Sequence, residues 1–330
     1  MRLLLLSILF GISSYAEEER IVISSKQIFL PQYPTAFNPS LIKIHDEFLL
    51  IFRYCPQPND YHDWWISYIG AVRLDENFDP ISEPQLMTTR YPHSKTPSQS
   101  EDPRIFSYRG RLFLIFNDNM EIEAPTLWQR REMYLVELFY SQGKFSLSSP
   151  IKLIYDGKYN TQWWQKNWTP FEWQGNLELI YSINPHEILY PNLIDGKCYL
   201  DYATQCELDW KWGTPRGSTP ALLVDGEYLS FFHSAQWTSS ESSFGQDLWH
   251  YFAGAYTFSA KPPFNIAKIT PSPIIGEGFY TRSFLIKRVV FPGGFVVSEP
   301  YIYLAYGKDD HEMWIATLDK AALFRFLKPL

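Results

Sequence analysis

The stretch SEDPRIFSYRGRLFLIFND, residues 100–118, carries the pattern that decides the fold. It reads as a proline, a short strand, a polar turn and a second, strongly apolar strand. This order of residues predicts a β-hairpin that belongs to a buried sheet. The hairpin nevertheless begins with an acidic pair, Glu101 and Asp102, and a carboxylate at the start of a buried strand costs free energy unless something polar faces it.

The same hairpin pattern recurs along the chain. Each copy begins at a proline and ends its second strand in aromatic or polar residues, and the prolines are spaced 50 to 72 residues apart. The other four copies are NPSLIKIHDEFLLIFRY (38–54), TPFEWQGNLELIYSI (169–183), TPALLVDGEYLSFFHS (219–234) and FPGGFVVSEPYIYLAYGK (291–308).

Recurrence of one hairpin at this period predicts radial repetition, because a single small sheet cannot bury its own face. The remaining residues of each period suit two further strands, for example YIGAVRL (68–74), MYLVELF (133–139), YFAGAYTF (251–258) and EMWIATL (312–318). Five units of four strands describe an all-β, five-bladed β-propeller. The alternative is a β-sandwich with similar hairpins, and the proline found in register in all five units favours the propeller.

Composition agrees with an all-β chain and excludes one class of partner. The chain has 330 residues, of which 18% are aromatic, and it contains 24 Pro and 17 Gly, as short strands and tight turns require. The net charge is −7 and no block of Lys and Arg is present, so binding to nucleic acid is not expected.

The N-terminal stretch MRLLLLSILFGISSYA predicts a signal peptide, residues 1–16, followed by one propeller domain, residues 17–330. A membrane anchor is the alternative, but the apolar run from Leu3 to Ile12 is too short to span a bilayer. We therefore expect an exported protein, periplasmic or secreted, with no membrane span after cleavage. In that setting Cys198 and Cys206 either pair in a small loop and leave Cys55 free, or all three are unpaired thiols.

The propeller prediction indicates which residues face the central channel, because the inner strands of all blades surround it. The residues before the five prolines are then axial: Asn38, Asp102, Thr169, Thr219 and Phe291. The ends of the second strands return to the same mouth and supply Arg53, Asn117, Asp118, Ser182, His233 and residues 307–310. Asp102 would thus face a shared cavity rather than a dry core.

This cavity predicts chemistry on a sugar or an anion. Asp102 would meet the cationic or basic side chains of Arg53, Arg104, Lys166, Arg216 and His233. Carboxylates beside cations suit the transfer of a proton and the binding of hydroxyl groups or phosphate. Tryptophans in WWQKNWTPFEW, residues 163–173, could stack on sugar rings. By strand alternation Glu101 should point away from Asp102, which makes it a poor second carboxylate.

The sequence resembles glycoside hydrolase family 130 from about Asn38 to Asp310. The most specific piece is EDPRI (101–105), and KNW.PF (166–171), FFH (231–233), VVFP.G (289–294) and YG..D (306–310) support it. The resemblance implies a five-bladed propeller that cleaves β-mannosides with inversion, by phosphorolysis or hydrolysis. It implies that Asp102 is the general acid, which passes its proton through a hydroxyl of the mannosyl ring.

The resemblance also suggests how the other residues divide. Lys166 and His233, with Arg104 and Arg216, are the candidates for contacting phosphate. Candidates for contacting the sugar are Asn38, Arg53, Asn117, Asp118, Trp168, Asp309 and Asp310. No metal or organic cofactor is expected, and inorganic phosphate is a co-substrate only in the phosphorolytic alternative. The expected partner is an oligosaccharide substrate, and the sequence gives no indication of oligomeric state.

Two departures from related patterns bear on the activity. Phosphorylases of the family usually carry an arginine soon after the catalytic strand, where this chain has FNDNM (116–120), and Arg130 and Arg131 are the nearest substitutes. Arabinan- and fructan-cleaving propellers carry an Asp base where this chain has Asn38, which argues against those activities. A propeller that binds a glycan without cleaving it is the main alternative, while glycosyl transfer and a purely structural role are weaker ones.

Overall fold

Five small antiparallel sheets arranged in a ring form the structure, a computed structural model that describes residues 20–56, 66–91, 97–120, 131–156, 164–281, 283 and 285–330. The predicted signal peptide and Arg130 lie outside these residues. The first strand, β1 (Val22–Ile28), belongs to the last blade. Blade 1 then consists of β2 (Ala36–Ile44), β3 (Glu47–Tyr54), β4 (Tyr68–Leu74) and β5 (Gln85–Met87).

Blades 2 and 3 repeat this meander from the channel outward. Blade 2 contains β6 (Glu101–Tyr108), β7 (Arg111–Asp118), β8 (Glu132–Ser141), β9 (Lys144–Leu147) and β10 (Ile151–Leu153). Blade 3 contains β11 (Thr169–Trp173), β12 (Asn176–Ser182), β13 (His186–Pro191) and β14 (Cys198–Thr204).

Blade 4 has the longest strands, and blade 5 is completed by the other end of the chain. Blade 4 contains β15 (Arg216–Gly217), β16 (Leu222–Val224), β17 (Glu227–Thr238), β18 (Leu248–Ser259) and β19 (Ile266–Ile269). Blade 5 contains β20 (Val290–Ser298), β21 (Tyr301–Lys308) and β22 (Glu312–Asp319), and β1 pairs with β22 as its outermost strand. After β22 come a short helix, α1 (Lys320–Phe326), and β23 (Lys328–Pro329), which pairs with β19.

Each pair of neighbouring blades encloses its own hydrophobic core, so the middle strands are buried on both faces. In β3, Leu50 and Phe52 pack against blade 5, whereas the intervening Leu49 and Ile51 pack against blade 2. Equivalent clusters lie between blades 2 and 3, 3 and 4, and 4 and 5. Five such interfaces close the ring. The prediction of a five-bladed β-propeller is confirmed, and the β-sandwich alternative is wrong.

The three cysteines are free thiols in this structure. Cys55 and Cys198 are buried, and Cys206 is partly buried. Of the two alternatives left open by the sequence, the structure therefore shows the unpaired one. No helix among the described residues has the length and apolar character needed to cross a membrane.

Candidate active site

The blade starts are distorted at the two positions where the sequence places Asn or Asp before proline. The pairing of β2 with β3 slips between Phe37 and Ser40, and that of β6 with β7 slips between Glu101 and Arg104. Asn38 and Asp102 sit within these bulges with φ of 47° and 51°. Asn and Asp tolerate this left-handed conformation better than other residues with side chains, although it remains strained.

The bulge brings both acidic side chains to one arginine. Arg53 Nη2 lies 3.0 Å from Glu101 Oε1, and Arg53 Nη1 lies 3.4 Å from Asp102 Oδ1. Regular alternation would separate adjacent side chains, but a bulge re-aims them. The expectation that Glu101 points away from Asp102 is therefore wrong, because β6 is not a regular strand at this point.

Glu101 is enclosed by donors. Lys166 Nζ lies 2.6 Å from its Oε2, Asn117 Nδ2 donates to Oε2 at 2.9 Å, and Arg131 Nη2 lies 3.4 Å from Oε1. Burial by itself would raise the pKa of Glu101, but the charges of Arg53, Lys166 and Arg131 outweigh it and hold that pKa well below its usual range. Glu101 is thus a buried, ionised anchor for three cations.

Asp102 has a different environment. Asn38 Nδ2 donates to its Oδ1 at 2.9 Å, and Arg53 is its charged neighbour. About a tenth of its side chain remains exposed to the channel. Asp102 is thus held by one amide and one guanidinium, whereas Glu101 is enclosed by three cations.

His233 comes from blade 4, on β17. Its ring packs against Phe291 at 4.6 Å and runs nearly parallel to Tyr251 at 6.0 Å between centroids, and Ser218 Oγ lies 2.6 Å from Nδ1. Burial, together with the charges of Arg216, Arg104 and Lys166, lowers the pKa of His233 well below its usual value. At neutral pH this side chain is a neutral imidazole in a cationic environment.

Arg104 makes its hydrogen bonds to groups within the protein. It is fully buried, and it donates to the backbone oxygens of Ser218 at 2.6 Å and Asp102 at 2.9 Å and to Asn167 Oδ1 at 3.1 Å. Burial lowers the pKa of its guanidinium to about 10. Arg104, which the sequence analysis assigns to phosphate, instead links blade 2 to the segments that begin blades 3 and 4.

Several residues predicted to contact the sugar lie beneath the channel surface. Asn117 donates a hydrogen bond to Glu101, while Asp118 accepts hydrogen bonds from Arg90 at 2.9 Å and Ser100 at 2.7 Å. Asp309 accepts from the Val289 amide at 2.7 Å, which anchors the strand that enters blade 5. The side chains of Asn117, Asp118 and Asp309 are fully buried, and Trp168 is 1% exposed in the core between blades 2 and 3.

The remaining predicted residues do reach the channel mouth. The Lys166 side chain is 23% exposed, the Asp310 side chain is 40% exposed and pairs with Lys287, and Arg216 is exposed at the start of blade 4. The negative charge of Asp310 contributes to raising the pKa of Tyr251, after the larger effect of burial. The structure thus brings Asp102, Arg53, Lys166, Arg216, His233 and Asp310 to one mouth.

Sequence reasoning missed two residues at this mouth. Tyr251 and Lys287 belong to strands and connections whose register is set only by pairing, and no local motif marks them. Trp164 lies in the tryptophan-rich segment that was singled out, and it rather than Trp168 is exposed, at 45%. Its ring lies 4.6 Å from Lys166 Nζ and 5.6 Å from the Arg131 guanidinium.

Within the described ranges, no cluster of three or more His, Cys, Asp or Glu side chains could hold a metal ion. The site consists of carboxylates, cations and aromatic rings. Such a set can bind hydroxyl groups and an anion and can transfer a proton.

Comparison with solved structures identifies the architecture. A β-1,2-mannobiose phosphorylase from Listeria innocua superposes with a TM-score of 0.61 at 15% identity, with 93% of this chain and 94% of that chain covered. A mannose phosphorylase from Leishmania mexicana, in complex with phosphate, has a TM-score of 0.61 at 12% identity, with 94% and 92% covered. The chain shares the fold of these proteins.

A third similar structure was described for the GH130 family of mannoside phosphorylases, which contains hydrolases that target β-1,2-mannosidic linkages in Candida mannan. It has a TM-score of 0.62 at 14% identity, with 87% of this chain and 85% of that chain covered. No protein-family profile and no curated protein sequence matches the chain. The fold implied by the family resemblance is therefore confirmed, and at these identities the likeness concerns the fold alone.

Proposed function

We propose that this protein cleaves β-linked mannosides or closely related oligosaccharides with inversion, and that Asp102 is the proton donor. The observation that carries the proposal is the position of Asp102 in a strained bulge at the channel mouth, beside Arg53 and Asn38. Strained residues persist where the surrounding structure holds them, and they concentrate at functional sites. The solved structures of the same fold include a β-1,2-mannobiose phosphorylase and a mannose phosphorylase.

In the proposed reaction Asp102 gives its proton to the leaving glycosidic oxygen, directly or through a hydroxyl of the mannosyl ring, as the bond from that oxygen to the anomeric carbon breaks. Phosphate or water forms the new bond to the anomeric carbon from the opposite face. When water attacks, its proton is released to solvent or to a base. Export of the protein, with a leader cleaved after Ala16, is part of the proposal.

The cationic side of the channel is where phosphate would be held. Lys166 and Arg216 supply charge there, and the neutral imidazole of His233 supplies a ring nitrogen within reach of their charges. Two of the cations already have partners that compete with phosphate. Lys166 is paired with Glu101, and Arg104 donates to backbone oxygens.

The test incubates the chain from Glu17 to Leu330 with β-mannosides of different linkage, with and without inorganic phosphate. A sugar 1-phosphate formed only with phosphate identifies phosphorolysis, and free mannose in both conditions identifies hydrolysis. If no substrate is cleaved but a glycan raises the melting temperature, the protein is a binding propeller.

The decisive variant is Asp102→Asn. We expect it to keep the fold and bind the sugar while the rate of cleavage falls by about 10²–10⁴-fold, the usual contribution of a general acid. The matched control is Asp225→Asn, which removes a carboxylate that is 59% exposed on a turn. Cleavage at the normal rate by Asp102→Asn would exclude Asp102 from the chemistry.

A further inference from the structure

Blade 4 projects beyond the channel mouth. In the other blades the second strand ends at, or one residue after, the position that matches His233 in the repeated pattern, as β3 does at Tyr54 and β7 at Asp118. β17 instead continues five residues past His233 to Thr238, and β18 pairs with it along its whole length from Leu248. The projecting end of this hairpin therefore stands next to the site rather than below it.

One face of this projection is aromatic. Trp237 on β17 is directly opposite Trp249 on β18, and their rings pack edge to face at 5.6 Å. Both rings remain about half exposed, at 54% and 51%. Two half-exposed tryptophans side by side give an apolar surface that a partly apolar ligand can cover.

The pair lies on the same face of the hairpin as the site residues. Side chains two positions apart on a strand point to the same face. Trp249 therefore shares a face with Tyr251, and Trp237 shares that face with Ala235 and His233. At about 3.3 Å per residue, Trp237 stands about 13 Å along the strand from His233. Buried His233, partly buried Tyr251 and the exposed tryptophans thus form one line that leads out of the channel.

We propose that Trp237 and Trp249 form an outer sugar-binding subsite that selects oligosaccharides over disaccharides. The proposal rests on the proposed function, since the line of rings begins at the site where the glycosidic bond would be cleaved. The apolar faces of a pyranose ring match a tryptophan face, while its hydroxyl groups stay in solvent. A disaccharide held at Asp102 ends before the pair, whereas a longer chain continues onto it.

The test compares a disaccharide with a tetrasaccharide of whichever β-mannoside linkage the wild-type protein cleaves. For Trp249→Ala and Trp237→Ala we expect KM for the tetrasaccharide to rise about three- to tenfold, the effect of losing one aromatic stacking contact. KM for the disaccharide and kcat for both substrates should change less than twofold. Trp249→Phe, which keeps a ring, should recover most of the lost affinity.

The control variant is Tyr199→Ala, which removes another exposed ring, 54% exposed, from the outer strand of blade 3. It should leave both KM values unchanged. If the tryptophan variants lower the melting temperature but leave KM for the tetrasaccharide unchanged, the pair only stabilises the hairpin and the proposal is overturned, while the proposed cleavage stands.

If the wild-type protein cleaves no β-mannoside, the proposed function fails and the subsite is tested by binding. β-1,2-Mannotetraose is then titrated calorimetrically into the wild-type protein and into Trp249→Ala. Weaker binding by the variant supports the subsite in a glycan-binding protein. Equal binding, or no binding to either, overturns it.

Discussion

Glu101 and Asp102 are neighbours in sequence that share Arg53 and make otherwise different contacts. Both side chains are nearly buried, but Glu101 neutralises Arg53, Lys166 and Arg131, whereas Asp102 contacts Arg53 and accepts a hydrogen bond from Asn38. Since Arg53 contacts both, the position of Asp102 depends on the charge of Glu101. Glu101 is thus a positioning residue in the proposed reaction.

Removal of the Glu101 charge should be costly. In Glu101→Gln, Lys166 and Arg131 lose a buried counter-charge and Arg53 keeps Asp102, so we expect a loss of about 3–5 kcal/mol in the free energy of unfolding at pH 7. Because the pKa of Glu101 is depressed in the folded protein, its contribution is present above the unfolded pKa and is lost as the pH falls through the folded pKa. The difference between variant and wild type should therefore shrink in acid, as measured by urea unfolding at pH 7 and pH 4.

The matched control is Glu227→Gln, which breaks a partly exposed pair with Lys268 on blade 4. Pairs of this kind contribute about 0–1 kcal/mol. Equal destabilisation by the two substitutions would contradict the interpretation of Glu101 as the anchor of a buried cage.

At the scale of the elements, two blades use the same packing device between their second and third strands. Phe52 of β3 is paired with Gly70 of β4, and Phe232 of β17 is paired with Gly254 of β18. A Cβ atom added at Gly70 would lie 2.3 Å from Phe52 Cζ, and one added at Gly254 would lie 2.4 Å from Phe232 Cζ. In each case the aromatic ring occupies the space over a glycine that lacks a side chain.

Gly70→Ala should consequently strain blade 1. Phe52 is fully buried between blades and cannot move freely, so we expect a loss of about 1–3 kcal/mol in the free energy of unfolding, typical of an overpacked core. A double-mutant cycle with Phe52→Leu measures the coupling between the two positions. In the Phe52→Leu variant, Gly70→Ala should lower the free energy of unfolding by less than it does in the wild type. Strictly additive effects of the two substitutions would show that the ring is not what excludes the alanine.

At the scale of the whole molecule, the ring is closed by residues distant in sequence. β1 completes blade 5 by pairing with β22, and α1 sends Leu323 into the core between blades 4 and 5. Every blade therefore depends on two neighbours, and we expect the stability of the chain to respond to pH as one unit. Buried titratable groups far from the site then contribute to the stability of the entire protein.

Glu178 on β12 is such a group. It is 1% exposed, and its Oε2 finds no hydrogen-bond partner among the described residues. Burial, with a smaller effect of the Asp201 charge, raises its pKa to about 8. A carboxyl whose pKa is raised on folding favours the folded state while it is protonated. This contribution to the free energy of unfolding is complete below the unfolded pKa and is lost as the pH rises towards the folded pKa.

Glu178→Gln should remove this pH dependence. Relative to wild type, the variant should gain about 1–3 kcal/mol in the free energy of unfolding between pH 4.5 and pH 8.5, the cost of a buried unpaired group. Urea unfolding at the two pH values measures it. The control is Glu207→Gln, at an exposed position, which should show no such change with pH. A constant difference between Glu178→Gln and wild type would contradict the prediction.

The sequence by itself determined the blade count and the core strands. Five prolines followed by hairpins are local signals, and strands buried on both faces between blades carry runs of apolar residues that need no tertiary context to be recognised. The convergence of Asp102, Arg53, Lys166 and His233 on one mouth followed from the propeller once its five units were counted.

Only the tertiary structure decided what each polar residue does at that mouth. A bulge breaks side-chain alternation, so the contacts of Glu101 could not be deduced from its place in β6. Arg104, Asn117 and Asp118 lie at the expected ends of strands, yet their donors and acceptors are taken by groups up to 114 residues away. Pairing between distant segments also closes blade 5 with β1, because strand order in a ring depends on contacts that no local pattern encodes.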